Sequence, residues 1–167
     1  MWTREEENKI ILESYDAYAD RIYRYVFLRT GKKEVAEDIV QDIFLRMCDY
    51  IASGNVIDKA EHFLMRTARN AVIDYYRKKK SLSLDEIEEG GFIMPDDPDL
   101  SIYEEVEVKR VMRAMYDLPD KHRDVLLLKF VEGLGPQDIG ELLNESSNVI
   151  SVRLHRAQEE LKKQLHI

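Results

Sequence analysis

Apolar residues recur every three or four positions along most of the first 80 residues, which is the period of an amphipathic α-helix. This pattern predicts helices over residues 7–28, 34–50 and 63–80. Gly31 suits the left-handed conformation that ends many helices, and the polar segment 53–55 interrupts the period before the third helix. The N-terminal part is therefore expected to be a small helical domain.

The helical period resumes in the C-terminal part and predicts a helix over 103–117, which Leu118 and Pro119 would stop. Asp120 is expected to cap the next helix, which Gly133 would close. The apolar residues of that helix are expected in the core, namely Val125, Leu126, Leu128 and Phe130. The C-terminal part is thus expected to be a second helical domain.

A short helix, a polar turn and a longer helix complete the chain. Pro136 suits the first turn of the short helix, residues 144–148 are polar, and the longer helix is expected from Val149 onward. This order is typical of a helix-turn-helix, whose second helix enters the DNA major groove. Two packed short helices without a role in DNA binding would give the same pattern.

The segment between the two helical parts has the composition of a linker. Residues 81–101 contain seven acidic residues, no basic residue, two glycines and two prolines. The predicted fold class is all-α, with two small helical domains, 1–80 and 103–167, joined by an acidic flexible linker, 81–102, and a helix-turn-helix in the second domain.

Charge sets the third predicted helix apart from the rest of the chain. The chain has a net charge of −8, yet residues 62–80 contain six basic residues and one acidic residue. Its apolar stripe is expected to be Leu64, Ala68, Ala71, Val72 and Tyr75, with Arg66, Arg69, Asn70 and Arg77 on another face. Such a contrast favours a polyanionic partner, although cations near a helix C-terminus also complement the macrodipole.

The second predicted helix has an acidic polar face that includes Asp38, Gln41 and Asp42. Its apolar stripe is expected to be Val35, Ile39, Ile43, Phe44 and Met47. An exposed acidic face is ordinary for a surface helix. However, a chain with a pI of about 5.1 needs help to bind DNA, because neutralised phosphates supply most non-specific affinity. A larger protein partner that binds the acidic surface would supply this help.

The sequence offers little for catalysis or for membrane insertion. The four histidines lack His or Cys neighbours at metal-ligand spacing, and no phosphate-binding glycine loop or nucleophile elbow is found. We expect no enzyme activity, no metal and no cofactor. No apolar run approaches the ~20 residues of a membrane span, so we expect a cytoplasmic protein without membrane insertion.

Three motifs together resemble the extracytoplasmic-function (ECF) group of bacterial sigma factors. Residues 36–44, AEDIVQDIF, are similar to the family's AEDLVQEVF helix, and residues 63–74, FLMRTARNAVID, to its WLYRIARNLAID helix. Residues 118–156 are similar to its LPxxxRxVxxLxxxEGLSxxEIA segment and the recognition helix that follows. The three motifs occur in the same order as in the family, with an acidic spacer between them, and the resemblance extends over nearly the whole chain.

The resemblance implies a non-enzymatic subunit that binds core RNA polymerase and promoter DNA. Asp38, Gln41 and Asp42 would bind a coiled coil of the polymerase β′ subunit, with the β subunit as a further contact. The loop from Ser53 to Lys59, which contains Asn55, would capture a flipped non-template base. The residues expected at the minus-ten element are Asn55, Arg66, Arg69, Asn70 and Arg77, and those at the minus-thirty-five element are Arg153, His155 and Arg156. An anti-sigma factor is a further candidate partner.

Departures from the family pattern concentrate in the second domain. Gly140 replaces an alanine, at an expected cost of about 1 kcal/mol in helix propensity, and Val149 replaces a capping threonine. We therefore expect the cap at Ser147 or Asn148, close to DNA phosphates, with Arg153 facing the groove.

Two other functions remain open at the level of sequence. One is a stand-alone helix-turn-helix regulator, and the other is a sigma-like interaction module that has lost promoter binding.

Overall fold

The computed structural model describes residues 2–82 and 102–167, with side chains described over 2–79 and 106–167. Within these ranges the regular structure consists of seven α-helices and no strands, which confirms the all-α fold class. Contacts divide the chain into two compact units, Met1–Gly90 and Gly91–Ile167. Residues 83–101 of the predicted acidic linker lie outside the described residues.

The first unit contains α1 (Arg4–Thr30), α2 (Lys33–Ala52) and α3 (Ala60–Leu82), and each helix packs against the other two. Fully buried side chains from all three helices form one core: Ile22, Tyr25, Val26, Ile43, Met47, Ile51, Leu64, Ala68 and Val72. Because the core takes one stripe from each helix, the opposite stripes of α2 and α3 are left exposed. Tyr75, which was expected in the buried stripe of α3, is only half-buried.

Helix α1 begins three residues before the predicted start, because Thr3 and Glu6 form a capping box. The Thr3 backbone N–H donates to Glu6 Oε2 at 2.7 Å, and the Glu6 N–H donates to Thr3 Oγ1 at 3.3 Å. Two hydrogen bonds that Glu6 Oε2 accepts, the larger from the Thr3 backbone N–H and the other from the Thr3 hydroxyl, lower the pKa of the exposed Glu6 carboxyl. The helix ends as predicted at Gly31, whose φ is 68°.

The buried stripe of α2 is rotated from the predicted one. Ile43, Phe44 and Met47 are buried as expected, but Val35 and Ile39 are only half-buried. Ala36 and Val40 occupy the core in their place. The prediction favoured the larger side chains, whereas close helix packing leaves room for the smaller alanine.

The second unit contains α4 (Ile102–Tyr116), α5 (Asp120–Phe130), α6 (Pro136–Leu143) and α7 (Ser147–Leu165). Helix α7 packs against the other three and supplies the buried residues Ile150, Leu154 and Ala157. The most buried side chains of α5 and α6 are Val125, Leu126, Leu127, Leu128 and Ile139.

Two predictions about α5 are wrong. Phe130 is 63% exposed, because Leu127 takes the core position that the prediction gave to it. Asp120 is the first helical residue rather than the cap, which is Pro119. The Asp120 side chain accepts a hydrogen bond from Arg123 Nη1 at 3.2 Å instead.

Arg123, the arginine of the LPxxxR motif, stabilises the junction between α4 and α5. Its buried guanidinium donates to the Leu118 carbonyl at 2.9 Å, to the Met115 carbonyl at 3.1 Å and to the Tyr116 carbonyl. The same group lies 4.7 Å from the centroid of the Tyr116 ring. This arginine therefore adds hydrogen bonds to carbonyls at the end of α4 and in the turn that follows it, where helical partners run out.

Gly140 is required by the tight turn between α6 and α7. A Cβ atom at this position would lie 2.5 Å from the Glu145 carbonyl oxygen and 3.4 Å from the Ser147 nitrogen. The Glu145 N–H also donates to the Gly140 carbonyl at 2.9 Å, which holds the two backbones together. The expected propensity cost of this glycine is thus offset by an approach that a side chain would prevent.

The cap of α7 lies upstream of both predicted residues. Ser146 is the N-cap, and its Oγ accepts a hydrogen bond from the Val149 N–H at 3.3 Å. Ser147 and Asn148 are the first two residues of the helix, so the prediction that one of them is the cap is wrong. Asn144 makes the turn possible because it adopts the left-handed conformation, with φ 55°.

Candidate nucleic-acid interface

The basic residues of α3 lie on the side of the helix that faces away from the core of the first unit. Arg66, Asn70 and Arg77 are exposed, and Arg69 is half-buried at the side of the same face. The spacing of Arg66, Asn70 and Arg77 places them along one line of the helix, opposite the buried Leu64, Ala68 and Val72. The structure therefore brings four of the predicted minus-ten residues together on one surface.

Contacts with α1 fix the rotation of α3 and thus the direction of its basic face. Glu61 in the first turn of α3 pairs with Arg21 at 2.8 Å between Oε1 and Nη2. Further along the helix, the Tyr76 hydroxyl donates to the Arg29 carbonyl. On the exposed side, Arg77 Nη1 lies 3.5 Å from Asp74 Oδ1, so the acid partly offsets the charge of this face.

Asn55 is exposed, but its side-chain amide is used within its own loop. Asn55 Nδ2 donates to the Tyr50 carbonyl at 3.0 Å, and Ser53 Oγ donates to the Asp49 carbonyl at 2.7 Å. Both bonds satisfy carbonyls at the end of α2. The Tyr50 ring, which is 40% exposed, lies 5.1 Å from the Phe63 ring at the start of α3. This aromatic pair beside the loop was not predicted.

The predicted polymerase-binding residues form one exposed face of α2. Asp38, Gln41 and Asp42 are all exposed, and Asp42 Oδ2 pairs with Arg46 Nε at 2.8 Å. Leu45, which is 63% exposed, lies beside them at a spacing of three and four residues from Asp42 and Gln41. The exposure of Leu45 could have been predicted from the sequence, because this residue falls outside the apolar stripe of α2.

The predicted minus-thirty-five residues fall into two groups. Ser147, Asn148, His155 and Arg156 are exposed on α7. Arg153 is not part of this group, because its Nη2 pairs with Glu145 Oε2 and only 16% of its side chain is exposed. The acid in the preceding turn thus binds Arg153, which lines the same shallow depression as Arg156. The role of Arg153 at the minus-thirty-five element stays a prediction.

Val149 and Val152 lie on the exposed side of α7. Val149 departs from the family pattern, whereas Val152 was not singled out from the sequence. Val149 is 46% exposed and Val152 is 51% exposed. They line a shallow depression together with His122, Asn148, Arg153 and Arg156. His122 Nδ1 lies 3.1 Å from Glu160 Oε2, and this contact joins the start of α5 to α7.

In the described part of the chain, no helix is long and apolar enough to cross a membrane. The same residues contain no group of three or more His, Cys, Asp or Glu side chains that could hold a metal ion.

Two family models match the chain, one in each unit. Sigma-70 region 2 matches residues 14–82, and Sigma-70, region 4 matches residues 109–161. The first match contains the exposed faces of α2 and α3, and the second contains the helix-turn-helix.

Relatives of known family match along nearly the whole length of both chains. The ECF RNA polymerase sigma factor SigW of Bacillus subtilis is 33% identical over 164 residues, which cover 90% of this chain and 86% of SigW. The ECF RNA polymerase sigma factor SigM of the same organism is 32% identical over 152 residues, covering 90% of this chain and 91% of SigM.

Solved structures agree with the fold. The sigma factor RpoE of Bartonella quintana, in complex with the anti-sigma factor NepR, has a TM-score of 0.75 at 19% identity and covers 95% of this chain and 98% of its own. CnrH, in complex with the cytosolic domain of CnrY, has a TM-score of 0.72 at 17% identity, and the match covers 95% of this chain and 89% of the CnrH chain. The chain therefore belongs to the ECF sigma factors, which bind core RNA polymerase and direct it to promoters to initiate transcription.

Proposed function

We propose that this sigma factor divides its contacts among three surfaces on two domains. Residues 1–80 form a domain that binds core polymerase and the minus-ten element. Residues 103–167 form a domain that binds the minus-thirty-five element, and 81–102 link the two. The observation that carries the proposal is the first unit, where an acidic face of α2 and a basic face of α3 both point away from one shared core.

The acidic face of α2 is the proposed contact to core polymerase. Asp38, Gln41 and Asp42 are exposed together, and the exposed Leu45 beside them adds an apolar contact that a merely solvated face does not need. The overall negative charge of the chain favours a protein partner for this face over DNA.

The basic face of α3 is the proposed contact to the minus-ten element. Arg66, Arg69 and Arg77 would neutralise phosphates, and Asn70 would present its amide to a base. We also propose that Asn55 contributes chiefly through its loop, because the Asn55 amide already donates to the Tyr50 carbonyl. The exposed Tyr50 ring would offer a stacking surface for an unpaired base at this place.

The exposed face of α7 is the proposed contact to the minus-thirty-five element. Arg156 and His155 lie on the outer side of the helix, with Ser147 and Asn148 at its exposed start. Arg153 is omitted from direct readout, since it pairs with Glu145. Its role would be to hold the turn that positions α7.

The division of contacts is tested with reconstituted holoenzyme. Asp38→Arg should weaken core binding at least tenfold, because a cation replaces an acid in a complementary charged contact. The matched control is Asp16→Arg, the same charge change at an exposed acid on α1. Core affinity is measured by fluorescence anisotropy of a labelled sigma factor, and circular dichroism checks the fold. Equal affinity of the parent and Asp38→Arg would contradict the assignment of α2.

Gel shifts with and without core polymerase test the two alternative functions, a stand-alone regulator and an interaction module that has lost promoter binding. Binding of promoter DNA by the chain alone, as tight as binding by holoenzyme, would favour a stand-alone regulator. Holoenzyme that forms but transcribes no member of a promoter library would favour an interaction module. Transcription that depends on both elements supports the proposed division.

We further propose an anti-sigma factor as a partner. Its support is that both solved structures described above are complexes, one with the anti-sigma factor NepR and the other with the cytosolic domain of CnrY. The test is affinity purification of the tagged chain from its own cells, followed by addition of the captured protein to a transcription assay. Inhibition that is relieved by excess chain is the expected result.

A further inference from the structure

The outward face of α7 carries an apolar patch made of Val149 and Val152. Ile150 and Leu154, which are buried, lie on the opposite side of the helix, so Val152 points directly away from the core of the second unit. Val149 precedes it by three residues and adjoins it on the helix surface. Both are β-branched, which is neither a helix-forming nor a solubilising choice for an exposed helix.

The cap at Ser146 determines where this patch lies. With Ser146 as N-cap, Val149 is the third residue of α7 and Val152 is in its second turn. In a helix-turn-helix, the N-terminal residues of the second helix are the ones that reach base edges. The two valines thus occupy positions from which side chains contact bases rather than the backbone.

Isolated exposed apolar residues are common on protein surfaces and need no special explanation. Here, however, the neighbouring groups suit DNA. Arg156 is exposed one turn beyond Val152, and Asn148 is exposed immediately before Val149. These three kinds of side chain line one shallow depression. A cation, an amide and an apolar pair match the phosphates, polar base edges and methyl groups of a major groove.

In the major groove, the one methyl group that a standard base presents is the C5-methyl of thymine. We propose that Val149 and Val152 contact thymine methyls in the minus-thirty-five element and so determine part of its sequence. This inference rests on the proposed role of α7. Contacts with methyl groups would let α7 recognise bases without a charged side chain. This agrees with the structure, in which one arginine of the helix, Arg153, is paired with Glu145 in the turn.

The test removes the methyl group and the valine separately. A minus-thirty-five element is selected from a promoter library with parent holoenzyme, and each thymine on either strand is replaced singly by deoxyuridine. Parent holoenzyme should bind about fourfold more weakly at one or two of these positions, the value expected for one buried carbon. Binding is measured by competition with the unmodified promoter.

The valine variants complete a double-mutant cycle with the uracil templates. Val152→Ala and Val149→Ala should each bind the thymine promoter about four- to fifteenfold more weakly, the range for one or two lost buried carbons, and one of them should no longer distinguish thymine from uracil at the sensitive position. Val106→Ala is the matched control, since Val106 is 57% exposed on α4 of the same unit. Val152→Thr, which keeps one methyl, should fall between the parent and Val152→Ala.

The possible outcomes separate this inference from the proposed role of α7. If a scrambled minus-thirty-five element abolishes promoter selection but no uracil template differs from its thymine counterpart, methyl readout is overturned and the role of α7 stands. If the uracil effect is as large in both valine variants as in the parent, another residue reads the methyl and the assignment is overturned. If scrambling costs the parent nothing, the proposed role of α7 fails, and this inference fails with it.

Discussion

Helices α3 and α7 are the two proposed DNA-contacting helices, and they present very different surfaces. The outer face of α3 is a row of basic residues, and residues 62–80 carry six bases against one acid. Residues 149–163 of α7 carry four bases and two acids, and Arg153 pairs with Glu145 while Lys162 pairs with Glu159. Charge alone therefore indicates α3 as a DNA-contacting helix. For α7 the sequence is not sufficient, because some of its charged side chains form ion pairs within the fold.

The largest expected effect comes from Gly140→Ala, which should disrupt the placement of α7 without affecting α3. The new Cβ would lie 2.5 Å from the Glu145 carbonyl oxygen, a backbone atom that cannot rotate away. We expect the second unit to lose about 1–3 kcal/mol of stability or more, as for overpacked sites. Thermal unfolding followed by circular dichroism measures this loss.

The control for this substitution is Gly135→Ala, where the nearest atom to a new Cβ is Asp138 Oδ2 at 3.7 Å. Gly135 is the N-cap of α6, so a loss within about 1 kcal/mol is expected there. A variant Gly140→Ala that melts with the parent would show that the turn can open at little cost.

Gly140 also illustrates which parts of the molecule the sequence could predict. The helical period and the turn residues located the seven helices of the described part of the chain and the helix-turn-helix, because both are local patterns. The close approach of Gly140 to Glu145 is a tertiary contact, so propensity alone gave the wrong sign for this residue. By contrast, the missed start of α1 was visible in the sequence, since Thr3 and Glu6 have the spacing of a capping box.

The residues of the candidate site also divide into those placed by local sequence pattern and those placed by tertiary contacts. Asp38, Gln41, Asp42, Arg66 and Arg77 are exposed as predicted, because they fall outside apolar stripes that pack in one core. The ion pair of Arg153 was not predicted, because its partner, Glu145, comes from the preceding turn. Phe130 was placed wrongly because α5 buries four consecutive apolar residues, 125–128, so periodicity does not select among them.

The next prediction compares one arginine from each helix. Arg156→Ala should cost about 1–3 kcal/mol of discrimination between promoters if this side chain reads a base edge. Arg66→Ala should weaken binding to all promoters about equally and lower the slope of log affinity against log salt by about 1, as for a phosphate contact. Competition binding of holoenzyme over a range of salt concentrations distinguishes the two.

Lys163→Ala is the control for Arg156→Ala, because it removes one positive charge from the exposed far end of α7. Discrimination lost equally in both variants would mean that net charge, rather than a specific contact of Arg156, accounts for the effect.

A smaller effect is expected from the pair formed by Arg153 and Glu145. Arg153→Ala and Glu145→Ala should each lower stability by about 1–2 kcal/mol, because the two side chains are only 16% and 32% exposed and each substitution leaves a part-buried charged group without its hydrogen-bond partner. The double variant should lose little more than either single variant. Promoter discrimination by folded Arg153→Ala holoenzyme should match the parent; a loss like that of Arg156→Ala would restore a direct role in readout.

The smallest expected effect concerns the start of α7, where stability and promoter binding should separate. Ser146→Ala should cost about 1 kcal/mol, because Ser146 Oγ accepts a hydrogen bond from the Val149 N–H. Ser147→Ala and Asn148→Ala should change the unfolding midpoint much less, since both residues lie inside the helix with exposed side chains. In the promoter-binding assay the order should reverse, with Asn148→Ala weaker than Ser146→Ala, because the Asn148 side chain lies on the outer face beside the valines. If Asn148→Ala destabilises the unit more than Ser146→Ala does, the cap lies at the later residue and the helix presents a different face to DNA.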